Sequence, residues 1–259
     1  MIYKTRGIVL RTTDYSNTSI IAKIYTELFG IQSYLIKGAK RKKAAVKANL
    51  FQPLSLLDLV VYKKEKKQLQ TLKEAKPEIH FASIPHDLAK TSILFFLNEV
   101  LLKCLHEEEN NPELFSFLHE TIQTLDSSGK KISNLHLIFL IRFTRFLGFY
   151  PQGKFSETNS LFDLREGKFI SKEPLHHDYL TKENSRLASK LILSNYYSIG
   201  NLVLSTKERK SLLDILLRYY GLHLSHMDSI SSHKVLEQIF ASSFLPLRIV
   251  SNTNLKILS

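Results

Sequence analysis

The sequence predicts an α+β protein, in which a five-stranded barrel over residues 1–80 is followed by an α-helical domain over residues 81–240. Short runs rich in β-branched residues and separated by turn signals fill the first third of the chain. After Pro85, apolar residues recur at helical spacing. Positive charge is also concentrated at the start: residues 1–80 hold 16 Lys and Arg against 6 Asp and Glu, whereas residues 81–259 hold 20 against 18.

Five strands are predicted within the first 80 residues. They end at turn signals such as Asp14-Tyr15-Ser16-Asn17 or Phe29-Gly30. In order, the predicted strands are Thr5–Thr13, Ser19–Thr26, Ile31–Ile36, Ser55–Tyr62 and Gln68–Ala75. A basic segment separates the third strand from the fourth, and its Lys43–Leu50 part is predicted to form a short helix. A helix at this place in a five-stranded barrel is typical of the OB fold.

Helices are predicted for most of the remaining chain. Asn111 followed by Pro112 and Glu113 is a typical helix start, since it offers an N-cap, a proline at the first position and an acid in the first turn. The predicted helices are Asp87–Leu102, Asn111–Leu125, Leu135–Leu147, Lys182–Leu193 and Thr206–Leu224.

Two segments break the helical pattern. Residues 152–180 form a small insertion, in which Leu161–Leu164 and Lys168–Ile170 are predicted to pair around Gly167. The tail, residues 241–259, has no helical periodicity and is expected to be loosely ordered.

Several function classes are excluded by the sequence. It has no phosphate-binding Gly-rich loop of the P-loop type and neither Gly-x-Ser-x-Gly nor His-Glu-x-x-His, so we expect no catalytic residues and no cofactor. The single cysteine, Cys104, cannot form an internal disulfide and lies in an apolar run, which indicates a buried thiol in a reducing compartment. The chain contains no membrane-length apolar run and no signal region after Met1. We therefore expect a cytoplasmic protein.

The charge pattern indicates nucleic-acid binding. Residues 37–47 contain six cations and no acid, and a second cluster follows at residues 63–67. A solvated, solubilising surface is the alternative for either cluster taken alone. The candidate phosphate contacts are Arg6, Arg11, Lys37, Lys40, Arg41, Lys42, Lys43 and Lys47. Single strands also need flat rings that stack on bases. The candidate rings are Tyr15, Tyr25, Tyr34 and Phe51, for each of which the barrel core is the commoner alternative.

Short sequence motifs resemble those of the RecO family of bacterial DNA repair and recombination proteins over roughly residues 1–240. Each motif alone is weak evidence for the family, so the resemblance rests on the order and spacing of the motifs. The motifs are Thr5-Arg6-Gly7-Ile8-Val9-Leu10, Tyr25-Thr26-Glu27-Leu28-Phe29-Gly30, Lys37-Gly38-Ala39-Lys40-Arg41, Leu50-Phe51-Gln52-Pro53-Leu54, Phe96-Leu97-Asn98-Glu99, Asn111-Pro112-Glu113-Leu114-Phe115 and Leu147-Gly148-Phe149-Tyr150-Pro151.

The resemblance implies a function and a set of partners. RecO-like proteins bind single- and double-stranded DNA, anneal complementary strands, and act with RecR to help RecA displace single-strand-binding protein, so nucleoid association is expected. Many relatives carry a four-cysteine zinc finger after Pro151. Residues 152–180 contain no cysteine here, so we expect this insertion to hold no metal.

The family also docks the acidic, apolar C-terminal tail of single-strand-binding protein on its helical domain. Arg142 and Arg145 lie about one turn apart among Phe139, Phe143 and Phe146, which suits such a tail. Packing of this helix face against the barrel is an equal alternative.

Two other functions stay open at this stage. Charge and barrel alone would also fit an OB-fold RNA-binding accessory factor, which a comparison of DNA and RNA binding would distinguish. A nucleic-acid-modifying enzyme would need a catalytic cluster that the sequence does not offer, and a nuclease assay with magnesium would reveal it. The oligomeric state is not encoded in any pattern that we recognise.

Overall fold

The computed structural model describes residues 1–64, 67–105, 110–129, 132–225, 227 and 230–242. It confirms the α+β class and the barrel. The strands are β1 Ile2–Asp14, β2 Ile20–Thr26, β3 Gly30–Ile36, β4 Leu56–Tyr62 and β5 Leu69–Pro77. They close into a barrel in the order β1-β2-β3-β5-β4, with β3 and β5 parallel and the other pairs antiparallel. This is the five-stranded barrel expected of an OB-like fold.

The barrel interior is filled by apolar side chains that point inward from all five strands. Val9, Ile24, Leu59 and Val61 are fully or almost fully buried in one cluster inside the barrel. Gly7 also faces inward, and a Cβ there would lie 2.6 Å from Leu59 Cδ1. Because contacts this short do not occur between real carbon atoms, a larger residue at this point would force the Leu59 or Ile24 side chain to move.

The basic segment does not form the predicted helix over Lys43–Leu50. Only its end, Ala48–Leu50, forms a 3₁₀ turn, and the residues before it form turns and bends. The backbone N–H of Ala48 donates to the carbonyl of buried Ala39, which ties the two ends of the segment together. In a helix, Lys43 and Lys47 would be like charges four residues apart, which is destabilising.

Six helices cover most of the rest of the described chain: α1 Leu88–Cys104, α2 Pro112–Ser127, α3 Leu135–Phe143, α4 Lys182–Ile192, α5 Thr206–His223 and α6 His233–Ser242. The Asn111 side chain accepts from Leu114 N, as the helix-start signal predicts. Helix α3 is shorter than predicted, since turns follow Phe143. Helix α6 was not predicted, and residues 243–259 of the predicted loose tail lie outside the described residues.

The start of α6 is held by a residue of α1. The Glu99 carboxylate accepts hydrogen bonds from the backbone N–H groups of Ser231 and Ser232. These bonds satisfy amides that the first turn of α6 leaves free and lower the pKa of Glu99, although its desolvation opposes the shift. Ser231 and Ser232 are residue types common at helix starts, but the carboxylate that binds their amides comes from a distant helix.

The barrel and the helices share one apolar core. Outward-facing barrel residues, among them Ile8, Tyr25, Ile31 and Leu56, belong to the same buried cluster as the helical side chains. The Tyr25 ring stacks on Phe115 of α2 at 6.2 Å between ring centres. One side of the barrel is therefore covered by the helical part of the chain.

The insertion forms a small sheet, as its sequence predicted. Strands β6 Leu161–Asp163 and β7 Lys168–Ile170 pair, and β8 Tyr179–Leu180, which was not predicted, adds to the other edge of β6. The buried Phe162 ring packs edge-on against Phe169 at 4.9 Å.

Two aspartates fix the loops of the insertion. Asp163 accepts from the backbone N–H groups of Arg165 and Glu166, which shapes the β6–β7 turn. Asp178 pairs with Arg165 at 2.7 Å and with Arg218 of α5 at 2.5 Å, and both bonds lower the pKa of this carboxyl group.

The described residues contain neither a membrane-spanning helix nor a cluster of metal ligands. None of the helices is both long enough and apolar enough to cross a bilayer. In the described part of the chain, no three His, Cys, Asp or Glu side chains gather as metal ligands would. The Cys104 thiol is half-buried, and burial raises its pKa to about 12.

The apolar packing of Phe162 predicts how the insertion responds to mutation and to chelation. Phe162→Ala should lower the free energy of unfolding by about 3–5 kcal/mol, because it leaves a cavity in the core. Leu175→Ala is the matched control, since the Leu175 side chain is fully exposed and its loss should change stability by less than ~0.5 kcal/mol.

Excess chelator should leave the melting temperature of the unmodified, tag-free protein unchanged. A chelator-induced drop, with one zinc released per chain, would contradict this account.

Candidate nucleic-acid interface

The outer surface of β2 and β3 is the most uniformly basic side of the barrel. Directly paired residues in a sheet point to the same side. Lys23 of β2 pairs with Arg11 of β1 and with Ser33 of β3, and Ile21 pairs with Leu35. We call this surface the β2–β3 face. It consists of Arg11, Thr13, Ile21, Lys23, Ser33, Leu35, Leu69 and Thr71.

A groove crosses the end of the β2–β3 face that lies beside the β1–β2 turn. It is made of two adjoining depressions that share Leu35 and Lys37. One reaches Tyr15 and Arg41, and the other reaches Lys67. Of the described residues that line the groove, none is Asp or Glu. Cations above half-buried aliphatic side chains and hydroxyl groups can hold phosphates while bases lie flat on the face.

Tyr15 is the exposed ring at this groove. Its side chain is 58 % exposed, on the turn that joins β1 to β2. Its backbone N–H donates to Ser19 O, and Ser16 N donates to the same carbonyl, so the turn is tight. An exposed tyrosine on a well-braced turn is a suitable platform for one base.

Lys40 ties the basic segment to this turn. Its Nζ lies 2.6 Å from Asp14 Oδ1, and its backbone N–H donates to Thr18 O. Gly38, whose φ is +70°, donates its N–H to Ser19 Oγ. Through its side chain and its backbone, Lys40 therefore fixes the basic segment to the β1–β2 turn.

The other predicted phosphate contacts lie in two places. Arg11 is on the β2–β3 face, and Lys37 and Arg41 line the groove. Lys42, Lys43 and Lys47 are exposed further along the basic segment.

Arg6 lies away from both places, at the contact between barrel and helices. Its guanidinium pairs with Glu27 at 2.7 Å and with Glu78 at 3.5 Å, and it covers the Phe115 ring at 5.1 Å. The hydrogen bond with Glu27 raises the pKa of Arg6 and lowers that of Glu27. We therefore correct its predicted role: Arg6 is held by two carboxylates of the barrel part, and its ring contact with Phe115 reaches the helices.

Tyr34 also requires a correction. Its ring is fully buried inside the barrel, and burial raises the pKa of its hydroxyl. A base cannot reach it while the barrel is folded. Tyr25 and Phe51 are buried as well, which leaves Tyr15 as the accessible ring of the four candidates.

Sequence reasoning missed Lys23, Lys67 and the half-buried aliphatic residues of the face. The alternation within β2 was the signal for Lys23, because Ile20, Ala22 and Ile24 face inward. Lys67 could not be placed in the same way, since its position depends on the parallel contact between β3 and β5.

The predicted partner residues lie at the end of α3. Arg142 is half-buried, and its Nε and one terminal nitrogen donate to Ser194 O at 3.2 and 3.0 Å, whereas Arg145 is exposed. The neighbouring Phe139 and Phe143 are buried in the core, so they are not accessible to a peptide.

Exposed apolar side chains do occur close to Arg142, on the segment that it contacts. Leu193 is 74 % exposed and Tyr197 is 92 % exposed, on either side of the Ser194–Tyr196 stretch. The surface is therefore basic and apolar, although its apolar part comes from residues that the sequence did not single out.

The exposure of Tyr15 predicts a specific loss on mutation. Tyr15→Ala should weaken binding of a single-stranded oligonucleotide by about 1–3 kcal/mol, since it removes one stacking platform. Fluorescence anisotropy measures the change, and the melting temperature should stay the same because the ring is exposed. Tyr197→Ala is the control: it removes an exposed tyrosine of the helical part and should leave oligonucleotide binding unchanged. Equal effects of the two substitutions would exclude Tyr15 as a stacking residue.

Comparison with known proteins agrees with this architecture. Residues 1–80 match the family described as Recombination protein O N terminal, and residues 85–229 match Recombination protein O C terminal. The chain is 39 % identical over 241 residues to the DNA repair protein RecO of Phocaeicola vulgatus, and 37 % identical over 241 residues to that of Bacteroides fragilis. Each alignment covers 93 % of this chain and the whole of the relative. The chain therefore belongs to the RecO family of DNA repair proteins.

Proposed function

We propose that this protein is a recombination mediator that binds single- and double-stranded DNA through its barrel and anneals complementary strands. The observation that carries the proposal is the groove on the β2–β3 face, where cations and the exposed Tyr15 ring lie together without an acid among the lining residues described. Membership of the family supports DNA as the polyanion.

Annealing on such a surface needs no nucleotide hydrolysis. Two complementary strands repel each other through their phosphates, and cations that neutralise these phosphates release bound counterions and lower the repulsion. Holding both strands also raises their local concentration. Base pairing then supplies the driving free energy, so the proposed activity is not enzymatic and uses no cofactor.

The proposed partners follow from the family. We propose that the protein acts with RecR, and that together they help RecA to displace single-strand-binding protein from gapped DNA. The substrate places this activity in the cytoplasm, at the nucleoid. The acidic, apolar tail of single-strand-binding protein suits the end of α3, since Arg145 is exposed there and Arg142 contacts the segment that carries the exposed Leu193 and Tyr197.

The direct test is annealing of complementary DNA strands coated with their cognate single-strand-binding protein. We expect the protein to accelerate duplex formation without ATP, and we expect a matched pair of RNA strands to be annealed less well. Preferential binding and annealing of the RNA pair would favour the accessory-factor alternative and overturn the proposal.

Removing cations of the basic segment should weaken DNA binding at every sequence alike. Substituting Lys37, Arg41, Lys42 and Lys43 by Ala removes about four phosphate contacts, so the slope of log K against log salt should become shallower by about 3 for single strands. The annealing rate should fall with it.

A matched control removes four exposed lysines outside the barrel: Lys154, Lys172, Lys207 and Lys234. Both variants lose four positive charges. If the control flattens the salt dependence as much as the barrel variant does, net charge rather than a localised site explains the binding.

The surface that we propose for the tail of single-strand-binding protein predicts a separate effect of Arg145. Arg145→Ala should weaken binding of a labelled peptide with the sequence of the tail up to about fivefold, since an exposed ion pair contributes ~0.2–1 kcal/mol. Binding of bare oligonucleotide should stay unchanged. Parallel loss of peptide and oligonucleotide would mean that one surface serves both ligands.

A further inference from the structure

A second surface that carries cations, here mixed with acids, lies on the opposite side of the barrel from the β2–β3 face. In the closed strand order, β4 lies between β5 and β1, and therefore across the barrel from β2 and β3. Lys4 of β1 pairs with Val60 of β4, which pairs in turn with Glu74 of β5. Since paired residues share a side, these outward-facing groups form one row on the far wall.

The basic segment turns this far wall into a cleft. A cavity of about 790 Å³ separates the strands from Ala45 and Val46, which form its other wall. We call it the far cleft. Lys4, Lys73 and Lys76 line it from the strands, and none of its lining residues lines the groove of the β2–β3 face.

The charges of the far cleft favour an anionic ligand. Lys76 lies 3.4 Å from Asp58, and Lys73 lies 3.4 Å from Glu74. These four side chains are between 42 and 76 % exposed, and ion pairs this exposed contribute little, so an incoming phosphate can compete for the lysines.

More cations than acids surround the cleft. Arg6 and Glu27 also line it, but they are bonded to each other. Exposed Lys43 and Lys47 flank Ala45 and Val46 along the chain.

The lining chemistry distinguishes the far cleft from the groove. The described residues that line it include no aromatic side chain, and its uncharged walls are formed by Ala45, Val46, Leu59, Val60 and Ala75 with Thr5. Without a ring there is no platform for an unpaired base, whereas lysine tips contact phosphates of any sequence. The cleft therefore suits a sugar–phosphate backbone with its bases turned away.

We propose that the far cleft binds the backbone of a second DNA strand while the β2–β3 face holds the first. The proposal rests on the DNA binding proposed above and adds a site to it. Two strands held by one barrel have an effective concentration near the millimolar range, which favours pairing without any further contact.

Single protein molecules test this inference. The full chain is tethered at low density, so that neighbours cannot share a strand, and is saturated with a donor-labelled oligothymidine. A second oligothymidine with an acceptor is then added, so that no base pairing contributes. We expect energy transfer from protein molecules that hold both strands.

The far-cleft variant carries Lys4→Ala, Lys73→Ala and Lys76→Ala, three lysines that line the cleft. It should bind the first strand within about twofold of the unmodified protein and bind the second at least tenfold more weakly. The matched control, Arg11→Ala, Lys23→Ala and Lys37→Ala, should weaken capture of the first strand. Melting temperatures check that both variants fold.

The outcomes separate the two proposals. If the unmodified protein binds no strand, the proposed DNA binding fails. If it binds one strand but never two, or if the far-cleft variant holds two strands as well as the unmodified protein does, the inference about the far cleft is overturned while DNA binding stands. If the far-cleft variant loses binding of a protein partner but still holds both strands, the inference about the far cleft is also overturned.

Discussion

The structure depends on one constraint, which is the burial of an outward-facing apolar side of the barrel against the helices. An isolated barrel would expose Ile8, Tyr25, Ile31 and Leu56, all of which are buried here in the cluster that also fills the helical part. Each such side chain contributes about 1.5–3 kcal/mol on burial, so the joint is worth much of the stability of a typical domain. Because this side is covered, any ligand of the barrel must use the two sides that remain.

The polar groups around the joint explain why a strongly basic barrel docks on nearly neutral helices. Arg6 is held between Glu27 and Glu78, and Glu78 also lies 3.0 Å from His119 of α2. These two carboxylates pair with a guanidinium that is still partly exposed to solvent. Exposed lysines on the other sides of the barrel leave cations there, which fits the DNA binding that we propose for the barrel.

The sequence predicted the barrel strands and most helices because their signals are local. Turn residues bound each strand, and caps such as Asn111 mark helix starts. The position of Tyr34 could not be predicted in this way: β3 reads Ile31, Ser33, Leu35 on one side and Gln32, Tyr34, Ile36 on the other, so both sides are equally mixed. Only the closed register makes Tyr34 an inward residue.

Long-range partners account for the other differences. Buried Lys90 of α1 donates to the carbonyls of Asp126 and Ser128 at the end of α2, where a cation complements the helix dipole. Glu99 caps α6 from across the fold. The roles of Lys90 and Glu99, like that of Arg6, depend on residues far along the chain, which periodicity and composition do not reveal.

Photo-crosslinking of a single-stranded oligonucleotide with photoreactive bases, followed by mass spectrometry of the linked peptides, tests the central claim most directly. The account predicts crosslinks from unpaired bases to the β2–β3 face and its rim, with Tyr15 and the residues around Leu35 among them. Crosslinks concentrated in α4 or α5, with none on the barrel, would contradict it.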